Sequence, residues 1–161
     1  MTHKSHCMRL LLATSIALFL FSSCSQNALS GKRQFTLLPE SELQNMANTQ
    51  YRQFLSDKRI VNTSYNGDAA MVNRVGERVI RAVNKLYAEK GLTDRLKGFD
   101  WEVNLVQDNQ INAWCMPGGK IVVYTGLLPI TQNEEALAAV MGHEVCHALL
   151  QHGNQRMSQA L

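Results

Sequence analysis

The stretch that most constrains the fold is "EEALAAVMGHEVCHALLQHG", residues 134–153. Leu137, Ala138, Val140, Met141, Val145, Ala148 and Leu149 make it a mostly apolar helix. Thr131 with Glu134 three residues later is a capping-box pattern, and Gly153 supplies a stop. Into this surface are set His143, Glu144 and His147. Polar side chains on such a helix are costly to bury unless something satisfies them.

The rest of the chain supplies layers for that helix. Ser41 and Gln44 have capping-box spacing, and Leu43, Met46, Ala47, Tyr51, Phe54 and Leu55 predict an amphipathic helix over about 41–57. "YNGD" is a turn signal, with Asp68 as the expected cap. Val72, Val75, Val79, Val83 and Leu86 form the stripe of a second helix ending near Gly91. After Gly98 the period changes to two: Phe99, Trp101, Val103 and Leu105 alternate with polar residues as in a half-buried strand. "AWCM" and "KIVVYTG", separated by "PGG", predict two more extended segments. The fold class is therefore α+β, with N-terminal helices and a small sheet beside the motif helix.

His143 and His147 differ by about 40° around a helix and project from one face, so their ring nitrogens can converge on one ion. Two neutral imidazoles suit Zn²⁺, which needs a third ligand and a water. Glu144, about 100° round from His143, sits at the edge of that face, where a carboxylate can act as general base on such a water. The alternatives are solvent-facing histidines, or one histidine near the C-terminal end of the helix dipole. The His-Glu-x-x-His pattern on a capped apolar helix points to a zinc site instead. A metzincin needs a glycine and a histidine at positions that hold Leu150 and Gly153, and His152 is one residue out of register. That leaves the class whose third ligand is a glutamate on a later helix, yet no Asp or Glu lies between Val145 and Leu161.

"NAWCMPGGKIVVYTGLL" (112–128) followed by "EEALAAVMGHEVCHALLQHGNQRMSQ" (134–159) resembles the zinc metallopeptidase family of the CAAX prenyl protease and the mitochondrial quality-control peptidases, most nearly its small bacterial lipoprotein members. The resemblance implies a zincin-like domain binding one Zn²⁺ and acting on protein or peptide substrates. It implies His143 and His147 as metal ligands and Glu144 as the catalytic glutamate. Asn112, Ala113 and Trp114 match the edge strand that holds substrate beside the cleft. The third ligand is then a glutamate beyond Leu161, and the chain reads as the N-terminal part of a longer peptidase. The rival expectation is a truncated, non-catalytic envelope lipoprotein fragment with at most a binding or scaffold role.

The N-terminus speaks to location. "MTHKSHCMR" is basic, "LLLATSIALFLF" is apolar but too short to span a bilayer, and "SSC" follows. This resembles a lipoprotein-type signal over 1–23 with Cys24 lipidated, the alternative being an ordinary cleaved signal with Cys24 incidental; residues 24–39 read as a polar tether before a domain at 40–161. The expected location is the cell envelope, anchored to the outer membrane and facing the periplasm. Lys4 and Arg9 leave with the signal, and the remaining 14 basic residues face 13 acidic ones, so nucleic acid is not an expected partner. Of the cysteines left, Cys115 and Cys146 are expected as free thiols; a disulfide, and a ligand role for Cys146, are the alternatives.

Overall fold

A computed structural model describes residues 24–64 and 66–160. The expected signal segment, 1–23, lies outside them. The centre is a mixed three-stranded sheet of β3 (Glu102–Val106), β4 (Ala113–Met116) and β5 (Lys120–Tyr124), in the order β3-β5-β4. β3 runs parallel to β5, and β4 pairs antiparallel with β5 through the Pro117–Gly119 turn. Gly118 and Gly119 have φ of 85° and 87°, where a side chain would be strained. A Cβ on Gly119 would also lie 2.6 Å from Trp101. The ring of Phe99 lies 5.0 Å from that of Trp101. These two rings pack over the turn ahead of the ladder, which is why β3 starts at Glu102 and not at Phe99.

The sheet is covered on both faces, so every residue of β5 is buried. One face presents Leu105, Ala113, Ile121 and Val123 to α2 (Gly67–Glu89) and to α4 (Glu134–Leu149). The other presents Val106, Val122 and Tyr124 to α1 (Glu40–Ser56), whose Tyr51 and Phe54 meet Trp114 edge-on. On α1 the buried residues are Leu43, Ala47 and Tyr51, four apart. On α2 they include Val72, Val75, Val83 and Tyr87, with Tyr87 replacing the expected Leu86, which is exposed.

The helix starts differ from those the sequence suggests. α1 begins after Pro39 with no side-chain cap, so the Ser41–Gln44 box does not form. Asn66, not Asp68, caps α2, its side chain accepting from the Asp68 and Ala69 amides. Asn133 caps α4 by accepting from the Ala136 amide at 2.8 Å, while Thr131 Oγ1 donates to Leu128 O. Glu134 is thereby free to pair with Arg74 and Arg78 of α2. The end of α2 follows expectation: Gly91 is left-handed, and the Leu92 and Gly91 amides donate to Tyr87 O and Ala88 O, a Schellman closure.

A short α3 (Leu128–Thr131) precedes the motif helix, and α5 (His152–Ala160) follows it. Gly153 is not a stop but lies inside the first turn of α5; the break is at Gln151, with φ of 56°. Residues 24–39 are not a free tether. β1 (Cys24–Gln26) and β2 (Arg33–Phe35) form a small hairpin laid against the end of α4 and the side of α5. Asn27 Nδ2 donates to Leu149 O, Gln34 Nε2 to Leu150 O, and the Leu37 amide to Ser158 Oγ. Polar composition reads as a linker, but here those amides satisfy carbonyls at a helix end.

Candidate active site

α4 packs on the sheet and on α2 through Leu137, Met141, Val145, Ala148 and Leu149, all 6% exposed or less. This stripe leaves His143, Glu144 and His147 on other sides of the helix. His143 is exposed, while Glu144 and His147 are half-buried. The apolar residues cover the face opposite the histidine pair, which lies on the outer side of the helix.

The two imidazoles converge. His143 Nε2 and His147 Nε2 are 3.0 Å apart, with the rings nearly perpendicular and their centroids 4.5 Å apart. Two nitrogens each about 2.0–2.1 Å from one zinc ion can lie at such a separation. The pair is also the donor type that Zn²⁺ takes, so the residues present fit two positions of its coordination shell. Among the described residues, no group of three His, Cys, Asp or Glu side chains could hold an ion.

β4 runs beside the helix and brings Cys115 near Glu144. Burial, and after it the charge of Glu144, pushes the Cys115 thiol up to about 12. Cys115 and the exposed Cys146 are both free, as the sequence suggested. Asn112 lies just before the strand, and its carbonyl accepts from the Tyr124 amide at 3.1 Å. Ala113 faces the core, and half-buried Trp114 donates from Nε1 to Tyr124 Oη at 3.2 Å. Because β5 takes only one side of β4, the outer edge of β4 has no strand partner among the described residues.

Sequence reasoning set one residue aside as out of register. His152 Nδ1 lies 2.6 Å from His147 Nδ1, on the side of the ring away from His143. Burial first, then the neighbouring cationic groups, holds the His152 pKa below the ordinary histidine value. Spacing could not reveal this contact, because residues five apart on one continuous helix point about 140° away from each other.

A converging histidine pair on a capped helix, set beside the edge strand of a small sheet, is the frame of a metallopeptidase domain. Residues 73–161, more than half of the chain, match Peptidase family M48, and the chain belongs to that family. It is similar to the mitochondrial metalloendopeptidase OMA1 of Schizosaccharomyces pombe, with 29% identity over 142 residues, covering 87% of this chain and 39% of that protein. The Arabidopsis thaliana protein of the same name is 48% identical over 60 residues, 37% of this chain and 12% of its own length. The beta-barrel assembly-enhancing protease of Escherichia coli K12 is 38% identical over 48 residues, 30% of this chain and 10% of that protein. The chain thus spans well under half the length of these relatives.

Proposed function

We propose that this chain carries the metal-binding and general-base part of a zinc-dependent endopeptidase. The observation that carries the reading is the 3.0 Å approach of His143 Nε2 and His147 Nε2 on the open face of α4. His143 and His147 hold the ion, with a glutamate beyond Leu161 as third ligand. Zinc held there would supply Lewis-acid chemistry, the polarising of a carbonyl and the acidifying of water. Glu144 accepts the proton of the attacking water and returns it to the departing amine. The outer edge of β4, entered through Asn112, Ala113 and Trp114, receives the substrate backbone in extended form by main-chain hydrogen bonds. The name of the beta-barrel assembly-enhancing protease and the lipoprotein-type N-terminus support work in the bacterial envelope, in protein quality control, with the chain anchored by lipid on Cys24.

Glu144→Gln should lower peptide cleavage by about 10²–10⁴-fold while leaving bound zinc unchanged. Cleavage at the native rate in that variant would remove Glu144 from the role. Acyl-chain labelling of the expressed protein, lost in Cys24→Ser, tests the anchor; equal labelling in both would refute it.

A further inference from the structure

The corner between α4 and α5 is built from buried polar contacts. Gln151 turns left-handed, and the chain re-enters a helix with His152 at its head. Asn27, 7% exposed, donates from Nδ2 to Leu149 O at 3.1 Å. Gln34, 6% exposed, donates from Nε2 to Leu150 O at 2.7 Å. Asn154, 1% exposed, ties α5 back to Leu38 O at 3.0 Å. Two amides from the N-terminal segment, and one on α5 that reaches back to it, therefore hold the corner that sets His152 Nδ1 at 2.6 Å from His147 Nδ1.

The two nitrogens of His147 are thus both engaged, Nε2 toward His143 and Nδ1 toward His152. A neutral imidazole has one N–H and one lone pair. For Nε2 to be a ligand, the proton must reside on Nδ1, and a half-buried N–H needs an acceptor. We infer that His152 is a positioning residue whose Nδ1 accepts from His147 Nδ1–H, fixing the tautomer and ring plane that present Nε2 of His147 to the metal. His152 keeps its own proton on Nε2, so each ring retains one proton and none is transferred. Outer groups of this kind govern the orientation and basicity of a ligating imidazole. The inference rests on reading His143 and His147 as a metal pair, but the contact itself can be tested without metal.

The experiment uses the full chain with ¹⁵N-labelled histidine. Two-bond ¹H–¹⁵N correlation spectra of the metal-free protein report which nitrogen of His147 is protonated. An asparagine at position 152 places its Oδ1 near the place of His152 Nδ1 and can accept, whereas an alanine cannot. The expected result is the Nδ1-protonated form in wild type and in His152→Asn, and a shift toward the Nε2-protonated form in His152→Ala. Zinc titrated in competition with a chromophoric chelator should bind His152→Ala about 10–100-fold more weakly than wild type, with His152→Asn recovering most of the loss. Should His152→Ala fail to fold, His152→Gln, whose amide reaches the Nε2 position instead, carries the same expectation of loss. An unchanged His147 tautomer in the alanine or glutamine variant overturns the inference, as does an asparagine variant that loses as much as alanine. Wild type that keeps the Nδ1-protonated form but takes up no zinc overturns the metal reading and leaves the positioning contact standing.

Discussion

Gly76 sets two opposing effects against each other at the point where α2 meets both β3 and the motif helix. In a helix interior, Gly→Ala ordinarily stabilises by about 1 kcal/mol. Here a Cβ would lie 2.7 Å from Val103 Cγ2, 3.0 Å from Val103 Cγ1 and 3.1 Å from Met141 Cε. Ordinary carbon–carbon contacts are about 3.5–4.0 Å. The flexible tip of Met141 can withdraw. Val103 cannot, because it is β-branched and its strand is locked by pairing with Ile121. Overpacking of this kind costs about 1–3 kcal/mol, so at about 2 kcal/mol Gly76→Ala should destabilise by about 1 kcal/mol net. In a Val103→Ala background both offending methyls are gone, and the same change should stabilise by about 1 kcal/mol. The coupling is then about 2 kcal/mol with a change of sign. Urea unfolding followed by the fluorescence of Trp101 and Trp114 would measure all four corners of the cycle. Stabilisation by Gly76→Ala in both backgrounds would refute the reasoning.

Removing the cap in Asn133→Ala should cost about 1 kcal/mol, read as a lower melting temperature and largely restored by Asn133→Asp. Iodoacetamide at pH 8 should label exposed Cys146 and spare Cys115, whose thiol is pushed up to about 12, with mass spectrometry locating the adduct. Equal labelling of the two in the folded protein would contradict the packing of β4 against α4. Burial raises the pKa of Tyr51, and Asn104 donates to its hydroxyl at 2.7 Å. Because the folded-state pKa is the higher one, the unfolded chain loses this proton first. The contribution of Tyr51 is full below about pH 10 and is lost as pH rises beyond it. Denaturation across pH 9–12 should show a shallower loss of stability in Tyr51→Phe than in wild type.

Periodicity located the main elements because one-sided burial leaves a trace in the chain. The four-residue spacing of Leu43, Ala47 and Tyr51 and the run from Ile121 to Val123 report which surfaces are covered. Helix starts were less legible. Ser41 and Thr131 had capping-box spacing yet cap nothing, while Asn66 and Asn133 do. A cap requires extended backbone at one residue, such as φ of −135° at Asn66 and −146° at Asn133, and the approach of the preceding chain decides where that falls. Residues 24–39 misled for the same reason, since the partners of Asn27 and Gln34 lie more than 100 residues away.

What the sequence determined by itself is local: a 3.6-residue helix puts His143 and His147 on one face whatever surrounds it. The tertiary structure decided that this face opens outward, that β4 is an edge strand carrying Cys115 toward Glu144, and that His152 meets His147. The last depends on a left-handed residue at Gln151 and on carbonyls capped from the other end of the chain, neither of which has a spacing to read.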